Sequence, residues 1–400
     1  MKNNITILCS ALLILFGSVI VSCSSVSRQE LERLAEQGDA AAQANLGTMY
    51  AAGRSVPQDF LTAVKWYRLA AEQGYPLAQN NLGHMYFTGR GVPQDFLTAV
   101  KWYRLAAEQE YALAQATLGV MYENGLGVSQ DNAAAVKWYR LAAQQGLALG
   151  QTKLGVMYAN GLGIPKNNAA AVKWYRLAAE QGYPLAQFNL GYMYLAGLSV
   201  PQDDGAAMKW YRLAAEQGHA RAQNHLGSMY FAGRGVPQDY DAAMKWYRLA
   251  AEQEHATSQN NLGAMYAHGQ GAPQDDEVAV KLYRLAAEQG HATAQNNLGG
   301  MYAEGRVVPQ DYKAALKWWK LAAEQGNAGA QNNLGVIYVN GRGVLKDNVY
   351  AHMWLTFAIT NGNEASRVKR RKVEKEMTDT QIAEAQNLVR ECVKKDYKNC

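Results

Sequence analysis

The sequence of 400 residues is poor in charge: Asp, Glu, Lys and Arg make up 18% of it, and the net charge is +5. A balance so near neutrality gives no electrostatic case for binding nucleic acid. Cysteine is scarcer still, at four residues. Cys9 and Cys23 stand near the start and Cys392 and Cys400 at the far end, so the long middle of the chain cannot be a disulfide scaffold. Proline numbers only nine, and the period-two alternation that a half-buried strand needs is absent throughout. Walker loops, Gly-rich dinucleotide fingerprints and His-Glu-x-x-His pairs are missing as well, and no cofactor is implied. What remains is a chain that is 48% hydrophobic, ample for a core. Its composition is uniform from about residue 39 to residue 362, where two or three separate domains would be the ordinary expectation for this length.

Uniformity of that kind points to repetition, and the sequence aligns with itself. A Leu-Gly pair, followed two residues on by Met or Ile and then Tyr, places its glycine at Gly47, Gly83, Gly119, Gly155, Gly191, Gly227, Gly263, Gly299 and Gly335. Each step is 36 residues. A second block, most often Lys-Trp-Tyr-Arg-Leu-Ala-Ala, runs in the same register from Trp66 to Trp354, with Leu282 in the one slot lacking Trp. Periods of this size mean stacked supersecondary units, none of which can bury its apolar face alone.

Spacing identifies the unit. Ala42, Leu46, Met49 and Tyr50 fall at i, i+4, i+7 and i+8, one side of a helix; Ala63, Trp66, Tyr67, Ala70 and Ala71 do the same in the second block. The Trp column is therefore read as core, and Arg68 with Glu72 as an exposed i, i+4 pair. A glycine follows each first helix, from Gly53 to Gly341, where a helix end takes φ > 0. Val92-Pro93-Gln94-Asp95 and its equivalents then stop one helix and start the next. Mid-helix glycines such as Gly47 cost about 1 kcal/mol relative to Ala, and their presence in nine copies implies close helix contact. The expected fold is all-α: an α-solenoid, or superhelix, of nine 36-residue helix-turn-helix repeats over residues 39–362. Helical caps close both ends. Residues 28–37 mimic a second helix, and residues 363–400 hold two charged helices, the latter opened by a Thr378-x-x-Gln381 capping box.

The first 22 residues read as a signal peptide: Lys2, then an apolar run from Ile5 to Val21. Ile20-Val21-Ser22-Cys23 resembles a bacterial lipobox, which implies lipidation of Cys23 and a tether over residues 23–38. The expected location is the periplasm or the outer membrane, with an inner-membrane anchor or secretion as alternatives. Membrane contact would run only through that lipid or leader. Export would permit a disulfide between Cys392 and Cys400; two free thiols are the alternative.

The repeat pattern Ala-x-x-x-Leu-Gly-x-Met-Tyr, Gly-x-Gly-Val-Pro-x-Asp, Ala-x-x-Trp-Tyr-x-x-Ala-Ala-x-x-Gly resembles the Sel-one-like repeat, a relative of the tetratricopeptide repeat. Departures are local: Glu110 and Glu254 replace the inter-repeat glycine and Val307 the second loop glycine. The resemblance implies a right-handed superhelix acting as an adaptor for protein complexes, and secreted bacterial members are linked with envelope assembly or host interaction. Some relatives with a cysteine pair in every repeat are connected with β-lactam or peptidoglycan binding, but this sequence has no such pairs. Its expected role is a non-catalytic scaffold for a protein or peptide in the cell envelope. Alternatives are a cell-wall-acting or β-lactam-binding protein and a secreted, host-directed effector.

Catalytic and metal patterns are thin. Ser366-x-x-Lys369 matches one element of penicillin-recognising enzymes but lacks its companions. His219, His255 and His291 share one repeat position, yet repeats stacked some 8–10 Å apart cannot converge on one zinc ion within about 2.1 Å; a surface role beside the turn is expected. Partner binding is assigned to the concave face, built from the positions after the Gln, after the Leu-Gly and after the Tyr of each first helix. These are mostly small or polar, as at Ala44, Asn80, Asn224, Asn260 and Ala267. In the fifth repeat they are Phe188, Tyr192 and Leu195, with Phe87, Phe231 and His84 extending the patch; packing against the neighbouring repeat is the competing reading.

Overall fold

Second helices begin on an acidic or amide side chain. Asp59 accepts a hydrogen bond from the Thr62 amide (3.1 Å) and Asn167 one from Ala170 (2.9 Å), satisfying amides that the first helical turn leaves without partners. First helices end on a left-handed glycine, as at Gly53 (φ 66°), and the loop closes when the Asp59 amide donates to the Tyr50 carbonyl. These two devices fix helix lengths at 12 or 13 residues in all nine repeats.

The computed structural model describes residues 27–395, 397, 398 and 400; the expected leader, with Cys9 and Cys23, lies outside them. Among the described residues there are helices and no strands. Two compact units divide the chain, Met1–Gln202 and Asp203–Cys400. The first holds α1 (Arg28–Glu36), α2 (Ala40–Ala52), α3 (Phe60–Glu72), α4 (Pro76–Thr88), α5 (Phe96–Glu108), α6 (Ala112–Asn124), α7 (Asn132–Gln144), α8 (Ala148–Asn160), α9 (Asn168–Glu180) and α10 (Pro184–Ala196). The second holds α11 (Asp204–Glu216), α12 (Ala220–Ala232), α13 (Tyr240–Glu252), α14 (Ala256–His268), α15 (Asp276–Glu288), α16 (Ala292–Glu304), α17 (Tyr312–Ala323), α18 (Ala328–Asn340), α19 (Asn348–Thr360), α20 (Ser366–Glu374) and α21 (Asp379–Lys394). Inside each unit the helices of the repeats pack on their neighbours in sequence, an all-α solenoid arrangement of helical hairpins, and α20 and α21 both pack on α19.

The core belongs to junctions between repeats as much as to repeats. One cluster joins Ala44 of α2, Ala63, Tyr67 and Ala70 of α3, and Ala78, Leu82 and Met85 of α4. The next joins Phe87 of α4 to Tyr103 of α5 and Leu118 and Met121 of α6. Here the sequence reading needs correction. Tyr67, Tyr103, Tyr139 and Tyr211 are fully buried, whereas Trp66, Trp102 and Trp138 are half-buried. The reason is the glycine opposite: a Cβ on Gly47 would lie 2.7 Å from the Tyr67 ring, and on Gly119 2.6 Å from Tyr139. The first helix presents its bare backbone to the tyrosine, and the tryptophan one residue earlier is turned to the flank, where Trp102 lies against the preceding cluster. Trp354, by contrast, is 1% exposed, in the cluster that α21 also joins through Cys392.

Arg68 is a second correction. Its guanidinium donates to the Tyr86 hydroxyl of the next repeat (3.1 Å) instead of pairing with Glu72, and Arg104 and Arg284 repeat the contact with Tyr122 and Tyr302. Glu110 and Glu254 keep the left-handed conformation of the glycines they replace, at φ 60° and 61°, and Val307 does so at φ 65°.

At the C-terminal end the Thr378–Gln381 capping box is present. Cys392 and Cys400 form a disulfide, with Cα atoms 5.6 Å apart, and Tyr397 between them stands edge-on to Phe357 at 5.1 Å.

Candidate partner-binding face

A glutamine stands near the start of every first helix and makes two contacts. Gln115 of α6 donates to the Ala107 carbonyl at the end of α5 (3.1 Å) and accepts from Gln145, just past α7 (2.8 Å). Gln43, Gln79, Gln151 and Gln259 do likewise, each accepting from a glutamine 30 residues on. Each one ties three successive helices through a buried amide, satisfying helix-end carbonyls that would otherwise be stranded. In the sequence the nine-fold glutamine served only as a position marker, because it carries no apolar periodicity that would assign it a packing role.

The residue after that glutamine was expected on an open face. In seven repeats it is buried instead, as at Ala44 and Ala116 (0% exposed), Asn80 (3%) and Asn260 (6%), and Asn296 and Asn332 are half-buried, because consecutive first helices approach closely enough to cover it. In the second unit this seam is a ladder of amides. Ser258 donates to Asn224 Oδ1 (2.9 Å), Asn297 to Asn260 Oδ1 (3.1 Å), and Asn333 to Asn296 Oδ1 (3.0 Å). The ladder ends where Ser366 Oγ (3.0 Å) and Lys369 Nζ (2.8 Å) both donate to Asn332 Oδ1. Ser366 is 0% exposed; its hydroxyl is the last rung of a part-buried ladder and is itself shielded from solvent.

The proposed patch is accordingly redrawn. Phe87 (1% exposed) packs on the Phe96 ring at 5.4 Å, and His84 (3%) is interior. Phe188 is 9% exposed, so packing takes it too, and Leu195 is half-buried. Phe231, half-buried on Tyr240 at 5.3 Å, belongs to the other unit. Tyr192 stands out: it is 48% exposed and is the only exposed aromatic side chain among the described residues.

His219, His255 and His291 act as helix N-caps. Their Nδ1 atoms accept from the amides of Ala222 (3.2 Å), Ser258 (3.3 Å) and Ala294 (3.2 Å), a task Asn327 performs in the last repeat. An accepting Nδ1 requires the ring to be unprotonated. Burial pushes the His219 pKa down to about 4, helped by Arg221, His255 and His225. His255 and His291 are lowered as well, first by burial. Among the described residues no group of three or more His, Cys, Asp or Glu side chains could hold a metal ion. A small cleft of about 150 Å³ between α19, α20 and α21 is lined by His352, Thr356, Arg370, Glu374, Gln386 and Val389. Its charges are paired internally, His352 Nε2 with Glu374 at 3.0 Å and Arg370 with the same carboxylate at 3.1 Å.

The described residues of each unit form packed helical hairpins, and comparison with known proteins says which repeat they are. Nine consecutive segments, from 40–75 and 76–111 through to 328–363, match the Sel1 repeat. The chain belongs to the Sel1 repeat family. A protective antigen of uropathogenic Escherichia coli with an SLR fold is 34% identical over 92% of this chain and 95% of its own, with a TM-score of 0.60. A Sel1 repeat protein of Oxalobacter formigenes is 33% identical over 61% of this chain and 96% of its own, with a TM-score of 0.56. No curated protein matches the chain in sequence. Sel1 repeat proteins serve in general as scaffolds for protein–protein interaction, and the Sel1 solenoid is typically not catalytic.

Proposed function

We propose that this Sel1 protein is a non-catalytic scaffold that binds a protein or peptide of the bacterial cell envelope, and that Tyr192 anchors the partner. The observation carrying the reading is the exposure of Tyr192 on a molecule that packs every other described aromatic ring. Large, stiff aromatic side chains give much contact area for little entropy lost, which is why they dominate interface energetics. Support for an envelope location comes from the leader-like N-terminal sequence and from the Cys392–Cys400 disulfide, a bond that persists in oxidising compartments. The cell-wall-enzyme alternative loses its one candidate nucleophile with the burial of Ser366.

The test is a photo-crosslinking amino acid placed at position 192 and irradiated in living cells. Recovery of a discrete envelope protein, lost from the Tyr192→Ala chain in pull-down while its helical signal stays unchanged, is the expected outcome. Crosslinks only to cytosolic proteins, or full recovery by Tyr192→Ala, would refute the proposal.

A further inference from the structure

The start of the second helix sets the first two repeats apart from the rest. Leu61 is the second residue of α3 and Leu97 the second of α5. They are 65% and 57% exposed, more than any other large apolar side chain among the described residues of the first unit. Ala133 and Ala169 hold this position in the third and fourth repeats, Gly205 in the fifth, and Asp241, Glu277 and Lys313 in the sixth to eighth. Leu69 and Leu105, further along the same two helices, recur as leucine in later repeats and mark out no surface. Leu61 and Leu97 do.

Both stand at the edge where the chain enters the array. Arg28, the first residue of α1, reaches the Ser55 carbonyl (3.5 Å) in the loop that leads into α3. The loop that leads into α5 rests on the start of α3: a Cβ on Gly91 would lie 2.3 Å from the Phe60 carbonyl, and the Arg90 guanidinium stands 5.4 Å from the centre of the Phe60 ring. Cys23 precedes Ser27 by four residues, a reach of at most about 14 Å with the chain fully extended. A lipid on Cys23 therefore keeps this edge, and no later repeat of the unit as closely, beside the bilayer.

We propose that Leu61 and Leu97 dock the first two repeats on the lipid surface of the membrane that holds the N-terminus. The proposal rests on the envelope reading, through the lipid on Cys23, and is independent of the role of Tyr192. Leucine side chains among acyl chains leave water without needing a shaped partner. Lys65 and Lys101, exposed one turn further on, lay their stems along the same surface with their ammonium groups among the headgroups. Two leucines bind a bilayer weakly on their own, but the tether makes the contact intramolecular, and weak contacts then suffice. A soluble protein partner would give the leucines no reason to crowd at the tethered edge.

A photo-crosslinking amino acid at position 61 or 97 of the full chain, in bacterial cells fed radiolabelled phosphate, tests the docking; phosphate is a label that a lipidated cysteine itself lacks. Positions 133 and 169, at the same place on α7 and α9, are the controls. The chain is expected in the membrane fraction, with labelled phospholipid joined to it at 61 and 97 and none above the unirradiated background at 133 and 169. With the crosslinker moved to position 65, Leu61→Asp/Leu97→Asp should lose the lipid label and keep its helical circular dichroism, since Asp241 shows that the position accepts aspartate. A chain recovered in the soluble fraction overturns the tether and the docking together. A membrane-bound chain that joins no lipid at 61 and 97, joins a protein there instead, or keeps its label at 65 in the double variant, overturns the docking alone.

Discussion

Between Gly119 and Tyr139 the absence of one methyl group sets the packing of a repeat. Alanine at position 119 would gain about 1 kcal/mol of helix propensity, but its Cβ would stand 2.6 Å from a ring that is itself fully buried. Overpacking typically costs about 1–3 kcal/mol, so after the propensity gain Gly119→Ala is expected to lower stability by up to about 2 kcal/mol. At Gly83 the nearest ring atom is 3.1 Å away, and Gly83→Ala should lose less. Urea midpoints of the two variants check the ranking; equal midpoints would mean the rings yield freely. The capping histidines give a pH signature at the same scale. An unfolded histidine titrates near 6.5, while folded His219 is held to about 4. Between these values the unfolded chain binds more protons. The contribution is therefore fully present above pH 6.5 and is lost as the pH falls towards 4. Replacing His219, His255 and His291 by Asn, the residue that caps the last repeat as Asn327, should flatten the dependence of the urea midpoint over that window. An unaltered slope would place its origin elsewhere.

The elements themselves were largely legible from sequence, and the failures were of one kind. The 36-residue period, the glycine stops, the aspartate starts and the capping box are local signals, and the structure contains them where they were read. Errors arose where a side chain had a choice of neighbours. Trp66 and Tyr67 are adjacent on an apolar face, and only the bare backbone at Gly47 decides that the tyrosine goes in. Arg68 lies four residues from Glu72 but bonds Tyr86, 18 residues away on another helix. Phe87, Phe188 and His84 seemed free because they oppose the apolar side of their own helix, yet the stacking of first helices is a second burial surface that a single-helix projection does not contain. The C-terminal element adds a constraint of its own. The Cys392–Cys400 bridge closes a short loop that holds Tyr397 on Phe357. Closing so short a loop is worth about 2–3 kcal/mol by the chain-entropy estimate. Cys400→Ser is expected to speed amide exchange in α21 and leave α12 to α16 unchanged. Uniform exchange across the second unit would contradict that local role.

At the scale of the molecule, stability is distributed along the chain. Each cluster of buried side chains draws on the second helix of one repeat and the first helix of the next, and each glutamine staple spans the same junctions. A lone hairpin has neither its second core nor its staple partners. The first unit has one cap in α1 and the second in α20 and α21, which fits the need of terminal repeats for a covered apolar side. The most direct measurement is urea denaturation of residues 112–147 alone, of 76–183, and of the whole chain. The single repeat should show no cooperative transition, and the midpoint should climb as repeats are added. A lone hairpin that unfolds cooperatively at the midpoint of the whole chain would contradict the account.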